Sequence, residues 1–322
     1  MTKLITGGSG QIGAELAHIL VNRGEDVVIF DIFKSSRLKD IENKLTFVRG
    51  NVGIWSEVMD VVKNNKITQI YHMGAMLTFE SESNPWASFQ SNVVGTYNVL
   101  EAVRLLDVEK IMFTSSIGTF GSTIGAFGAP VEDNLTDTTL QRPGSFYGIG
   151  KLYCEGLGRW YNRKFGLDFR GVRYPSVVGP GIATPGHWDA PMMQSALSGK
   201  PYKCNVPEDI TTAMLYYKDA ARAADMILQA PKESIKMMNY NIGGVPAVTP
   251  KEVELEIKKH IPGAVITYAS GADAPGRLSL RAWDDSYARK EWGWRPEYST
   301  TRQIVSSFIQ ETRANPELYG LS

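Results

Sequence analysis

TGGSGQIG, Thr6 to Gly13, stands where a short apolar run meets a helical pattern, and its reading decides the fold. Gly7, Gly10 and Gly13 give G-x-x-G-x-x-G. A tight turn after a strand needs a residue that tolerates positive φ. A backbone that closely approaches a phosphate has no room for a Cβ. The helix that follows presents free N–H groups and its positive dipole end to an anion. Asp31 closes the next apolar run, 18 residues past Gly13. A carboxylate there accepts hydrogen bonds from ribose hydroxyls and repels a 2′-phosphate, which predicts NAD over NADP.

Outward from this junction, strand-like and helix-like stretches alternate. Lys3–Thr6, Val27–Phe30, Leu45–Val48, Ile70–Met73, Ile111–Thr114, Phe169–Arg173 and Asn239–Ile242 read as buried strands. Ile12, Leu16, Ile19 and Leu20 repeat at helical spacing, as do Val93, Tyr97 and Leu100, whose apolar members are expected on one face. The alternation predicts an α/β fold: a Rossmann-type doubly wound parallel sheet with a smaller C-terminal α/β substrate lobe. The expected division is a NAD-binding domain over 1–175, with later returns near 204–245, and a mainly substrate-binding lobe over 176–322. Pro175–Pro191 reads as a long irregular loop, and loops of that length are usually functional. Asp219 is expected to cap a helix over Ala220–Gln229. "TPKE", Thr249 to Glu252, offers a capping box, and Gly293 stops a short helix that follows "DDSYARKEW". Ile304, Val305, Phe308 and Ile309 suggest a final amphipathic helix.

Composition narrows the function classes. The 322 residues are 43% hydrophobic and 21% charged, with 34 basic and 34 acidic side chains. A net charge of zero gives no electrostatic reason to expect nucleic acid or an anionic membrane. Cys154 and Cys204 lie far apart and read as reduced thiols of a cytoplasmic protein. His18, His72, His187 and His260 form no spaced cluster, so no metal is expected. No run reaches the length of a membrane span, and strand-like sequence begins at once, leaving no room for a signal peptide.

The chemistry is expected from "SFYGIGK" and "FTSSIGTFG". Tyr147 and Lys151, four residues apart, share a helix face. An ammonium beside a phenol favours the phenolate and pulls its pKa from about 10 toward neutrality. Tyr147 then serves as a general base. Ser115 and Ser116 end the fifth strand at the sheet edge where such folds bind ligands, and a hydroxyl there can hold the substrate oxygen.

Together, TGGSGQIG, Asp31, "HMGA" (His72–Ala75), Asn92, Ser116 and Tyr147/Lys151 resemble the extended short-chain dehydrogenase/reductase family over nearly the whole chain. The resemblance implies NAD and a Ser–Tyr–Lys triad. Ser116 would orient the substrate hydroxyl, Tyr147 take its proton, Lys151 tune the phenol and hold the nicotinamide ribose, and Asn92 support the active-site helix and a water relay. It further implies a cofactor site of Gly7, Gly10, Gln11, Ile12, Gly13, Asp31, Asn51, Val52, Met73, Gly74, Ala75, Asn92, Tyr147, Lys151, Tyr174, Pro175 and Val177. A substrate pocket would take in Met76, Thr78, Ser116, Ile117, Gly118, Tyr147, Ser176, His187, Trp188 and Arg277. A homodimer is implied, through the helix around Asn92–Leu105 and the one following Tyr147.

Within the family, "SNPWASFQSNVVGTYNVLEA" and "MNYNIGGVPAVTPKEVELEIKKHIPG" are similar to the short-chain-type L-threonine 3-dehydrogenase group. That group has Gly-Thr-Thr-Asp where this chain has Gly186-His187-Trp188-Asp189. The expected activity is therefore NAD-dependent oxidation of a secondary alcohol on a small polar substrate. Two alternatives stay open: a nucleotide-sugar 4-epimerase with tightly bound NAD, and a non-catalytic cofactor-sensing protein. The glycine-rich segment Gly118–Pro130 is expected to order with substrate.

Overall fold

In the computed structural model, which describes residues 1–121, 134–181, 184, 187–270, 280 and 282–320, the apolar runs form one parallel sheet. Its strands are β1 (Thr2–Thr6), β2 (Asp26–Asp31), β3 (Thr46–Arg49), β4 (Ile67–His72), β5 (Lys110–Ser116), β6 (Asp168–Tyr174) and β7 (Asn239–Asn241). Across the sheet they run β7-β6-β5-β4-β1-β2-β3. Register places Thr6 beside Phe30 on one side and His72 on the other. Alternate residues of each strand point to opposite faces. Ile5 and Ile29 enter one core while Leu4, Val28 and Phe30 enter the other. Both faces are covered, so the strands read as unbroken apolar runs.

On the first face lie α1 (Gln11–Asn22), through Leu16, Ala17 and Leu20, and the alanine-rich α6 (Tyr217–Gln229). On the second lie α2 (Trp55–Asn64), α3 (Gly95–Leu105) and α4 (Phe146–Phe165). The strand order reverses between β1 and β4. The chain segments that leave these two strands diverge and open a crevice at their carboxyl ends.

A separate core joins a three-stranded sheet (Ser176–Val178, Thr212–Tyr216, Val245–Val248) to α5 (Asp189–Leu197), α7 (Pro250–His260) and α9 (Thr301–Ala314). The Thr249/Glu252 capping box starts α7 as expected, and a second one, Thr300 with Gln303, starts α9. Gly293, at φ +75°, stops α8 (Ser286–Trp292) in the left-handed region. Ile304, Val305, Phe308 and Ile309 are all buried.

Three local expectations are corrected. Asp219 is not an N-cap: α6 begins at Tyr217, and Asp219, fully buried inside its first turn, accepts the backbone N–H groups of Glu297 and Tyr298. Long-range backbone donors outcompete the local cap. Tyr97 is 47% exposed although Leu100 is buried, because the inward face of α3 is set by Val99, Leu100, Ala102 and Val103. The 175–191 stretch is not wholly irregular: Ser176–Val178 pairs in parallel with Met214–Tyr216, and Asp189 opens α5. Neighbouring strands supply the hydrogen bonds that its own prolines cannot. Much of Gly118–Pro130 lies outside the described residues.

Candidate active site

The crevice is a cavity of about 780 Å³. Gly7 turns the chain at the end of β1 with φ +68°, and a Cβ there would lie 2.5 Å from the Cα of Gly74. Only glycine lets the loops after β1 and β4 approach so closely. A Cβ on Gly13 would lie 2.6 Å from the Gly7 carbonyl oxygen, so glycine also sets how tightly α1 sits on the turn. No side chain caps α1, whose first residues Gly10 to Gly13 line the cavity. This bare N-terminus fits an anionic pyrophosphate.

Asp31 lines the same cavity. Its Oδ2 accepts the Ser9 N–H at 2.9 Å and its Oδ1 the Ile32 N–H at 2.7 Å, fixing the carboxylate at the tip of β2. Those bonds leave lone pairs for ribose hydroxyls. Behind the turn, buried His72 links β1 to α3. Thr96 donates to the Asn92 carbonyl, so its oxygen accepts from His72 Nε2, while His72 Nδ1 accepts from Thr6. Burial, with Lys151 nearby, pushes His72 down to about 3, so it stays neutral.

At the other end β5 delivers two serines with opposite fates. The Ser115 hydroxyl turns inward to Glu155 Oε1 at 2.6 Å, beneath a bidentate Arg173–Glu155 pair. Ser116 lines the cavity together with Tyr147, and its hydroxyl accepts the Gly118 N–H at 3.1 Å. Ser145 caps α4 and starts the helix that carries Tyr147 and Lys151. Lys151 Nζ donates to the Thr114 carbonyl at 2.6 Å and lies 5.6 Å from the Tyr147 ring centroid.

The electrostatics differ from the sequence expectation. Burial pushes the Tyr147 phenol up to about 12, with Ser116 opposing, and pushes Lys151 down to about 8. The ammonium is turned to a carbonyl, and removal from water dominates both groups.

The expected site residues converge, apart from two. Gln11, Asn51, Val52, Met73, Ala75, Met76, Thr78, Ile117, Tyr174, Pro175, Ser176, Val177, His187 and Trp188 all line the cavity. Arg277 lies outside the described residues. Asn92 is behind the wall: its amide accepts the Met76 N–H at 2.8 Å and donates to the Met76 carbonyl at 2.9 Å. It sits in a π-helical turn, Phe89–Val94, whose freed Asn92 carbonyl accepts from Thr96 and Cys154. Its side-chain bonds hold the loop after β4. Sequence reasoning missed Phe33, Arg37, Leu135, Asp189 and Leu280 on the wall. Asp189 alone had a signal, as the last residue of the quoted loop.

A model described as "NAD dependent epimerase/dehydratase family" matches residues 3–243. A Bos taurus protein named mitochondrial L-threonine 3-dehydrogenase is 33% identical over 94% of this chain and 80% of its own length. A solved "GalE-like L-Threonine dehydrogenase" from Cupriavidus necator, in its holo form, is 31% identical with a TM-score of 0.84, covering 96% of this chain and 99% of that one. A UDP-glucose 4-epimerase from Lactobacillus helveticus is 24% identical over 99% of each chain.

Proposed function

The chain belongs to the NAD dependent epimerase/dehydratase family, and from that premise we propose that it acts as an L-threonine 3-dehydrogenase-like enzyme. It is an NAD-dependent oxidoreductase, and the alcohol it oxidises is a secondary one on a small polar substrate. The observation that carries this reading is the convergence of Ser116, Tyr147 and Lys151 on the cavity that the glycine turn and Asp31 also line.

Gly7, Gly10 to Gly13, Asp31 and the 73–75 loop hold the dinucleotide. When bound, NAD supplies a two-electron acceptor for the alcohol carbon. Ser116 donates to or accepts from the substrate hydroxyl and sets its direction. Tyr147, once its own proton has passed to solvent, is the phenolate that receives the hydroxyl proton at its phenolic oxygen. Lys151, anchored on Thr114, keeps a positive charge beneath the phenol as that proton moves. Asn92 holds the Met76 loop against the substrate side.

The 4-epimerase reading has one observation in its favour, the likeness to the Lactobacillus enzyme over the full length of both chains. The test is NADH absorbance with NAD and a panel of L-threonine, other β-hydroxy acids, sugars and simple secondary alcohols. Net NADH with one of them supports the dehydrogenase. No NADH, with interconversion of UDP-sugars by protein that carries bound NAD, replaces it with the epimerase.

The division into an NAD domain over 1–175, to which β7 returns as a strand of the main sheet, and a substrate lobe mainly over 176–322 is part of the same reading. A homodimer is supported by the outward Tyr97 of α3 and the outward Tyr153, Trp160 and Phe165 of α4. Light scattering at twice the 35.6 kDa chain mass is the expected result. No helix among the described residues is long and apolar enough to cross a membrane. The buried thiols of Cys154 and Cys204 suit a cytoplasmic location.

A further inference from the structure

Segments far apart in the chain meet at one lip of the crevice. Arg37, in the 3-10 turn Ser36–Leu38 after β2, lines the cavity, and so does Gly181, which follows the short strand Ser176–Val178. Tyr319 comes from the turn past α9. The Arg37 guanidinium carbon stands 5.5 Å from the centroid of the Tyr319 ring. Gly181 has φ +73°, and a Cβ on it would lie 2.7 Å from Arg37 Nη2 and 3.1 Å from Tyr319 Cδ1. A side chain there would push the guanidinium aside, and the backbone conformation itself favours glycine. Each member is pinned. Ser35 Oγ accepts the Arg37 N–H at 3.2 Å, and Gln194 Nε2 of α5 donates to the Tyr319 carbonyl at 2.8 Å. Gln11 Nε2, at the start of α1, donates to the Pro180 carbonyl at 3.0 Å.

The charge of this lip is one-sided. Among the described residues on the cavity wall the cations are Arg37 and Lys151, and the Lys151 ammonium is turned to the Thr114 carbonyl. No oxygen of a described residue bonds the Arg37 guanidinium, which rests on the Tyr319 ring instead. A guanidinium carries five N–H donors and no acceptor. Stacking on an aromatic face fixes its plane and spends none of those donors. The Gln11–Pro180 bond ties the neighbouring Gly181 to the first residue of α1, so the guanidinium belongs to the α1 end of the crevice and not to the triad end. The bare helix end there offers about half a positive charge, and an arginine adds a full charge in a fork that matches phosphate oxygens. Asp31, on the same wall, disfavours a phosphate on the ribose. That leaves the phosphates that join the two nucleotides.

We propose that Arg37 binds the pyrophosphate of the dinucleotide, and that Tyr319 is a positioning residue that holds the guanidinium at this lip. Arg37 touches the cofactor, whereas Tyr319 acts through Arg37. The segment past α9 thereby becomes part of the cofactor site. This inference rests on the dinucleotide reading of the crevice, and it is the same whether the enzyme releases NADH or returns its hydride.

Calorimetry on protein freed of copurified nucleotide, with NAD, NADP, ADP and adenosine as probes, tests it. Arg37→Ala is expected to raise the Kd for NAD and for ADP by about tenfold or more, the scale of a hydrogen bond to a charged group, and to leave adenosine, which has no phosphate, within about twofold. Arg37→Lys, a point charge without the fork, is expected to recover part of the loss. Tyr319→Ala is expected to weaken NAD by about threefold, and Tyr319→Phe, which keeps the ring, by less than about twofold. Tyr319→Ala added to Arg37→Ala is expected to cost nothing further. An unchanged Kd for NAD in Arg37→Ala overturns the proposal and leaves the cofactor reading intact. Equal losses for ADP and adenosine overturn it, because phosphate is then not what Arg37 reads. A loss confined to NADP overturns it too, and assigns Arg37 to a 2′-phosphate. Additive losses in the double variant overturn the role of Tyr319. Failure of the wild type to bind either NAD or ADP overturns the cofactor reading itself, and the proposal with it.

Discussion

Removal from water holds the Tyr147 phenol near 12 and the Lys151 ammonium near 8, so the two side chains the reaction needs most are both disfavoured in their charged forms. Such opposed shifts in a cleft mark a site where charge is managed for chemistry. Tyr147→Phe keeps the ring and removes the proton acceptor. It is expected to lower kcat by about a thousandfold, with NAD affinity changed by less than about threefold in a fluorescence titration. Residual turnover within tenfold of wild type would exclude Tyr147 as the base. Asp31, pinned by the Ser9 and Ile32 N–H groups, sets cofactor choice at the same scale. Asp31→Ala is expected to reduce the NAD-over-NADP preference by about tenfold or more, because the repulsion of a 2′-phosphate is gone. An unchanged preference would remove Asp31 from the ribose.

At the scale of elements, the β1–α1 junction is an exclusion of side chains. Gly13 packs where a Cβ would lie 2.6 Å from the Gly7 oxygen and 2.7 Å from the Gly8 Cα, both rigid backbone atoms. Gly13→Ala must move α1 away from the turn. The expected outcome is NAD binding weaker by about tenfold and a loss of about 2 kcal/mol in denaturant unfolding, typical of overpacking. An unchanged Kd would show that the helix N-terminus does not hold the cofactor. The same scale explains Asp219, whose place in the sequence suggests a cap. Two backbone donors 78 and 79 residues away claim its carboxylate instead.

Across the whole molecule, a buried ionic knot ties the cofactor sheet to the rest of the chain. Arg173 on β6 grips Glu155 on α4 with Nε and Nη2, each at 2.8 Å, and Asp137 Oδ1 accepts the Asn241 N–H of β7 while lying 3.8 Å from Arg173 Nη1. Burial, the largest cause, raises Asp137 from its ordinary 3.8 to about 7 despite Asn241 and Arg173. The native state thus keeps a proton that the unfolded chain releases near 3.8. The stabilisation from this group is fully present below that pH and is lost as the pH rises through about 7. Asp137→Asn keeps an amide oxygen for Asn241 and removes the charge. It is expected to be more stable than wild type above pH 7, on the order of 1 to 2 kcal/mol after allowing for Arg173, with the advantage fading toward pH 4. Thermal unfolding across that range checks this, and an equal offset at every pH would contradict it.

The periodicity of the chain by itself determined the parallel sheet, the glycine turn, Asp31 and the Tyr147/Lys151 helix. Each of these is a local property: a strand buried on both faces must be apolar throughout, and a turn at φ +68° must be glycine. Only the tertiary structure decided which serine hydroxyl is spent on Glu155, because Ser115 and Ser116 project from opposite sides of β5. It alone placed Asn92 behind the Met76 loop, turned the Lys151 ammonium toward Thr114, and joined Ser176 to His187 and Asp189. Those relations depend on burial and on hydrogen bonds between segments far apart in the chain. No spacing in the sequence encodes the dielectric around a side chain or the partner that packing brings to it.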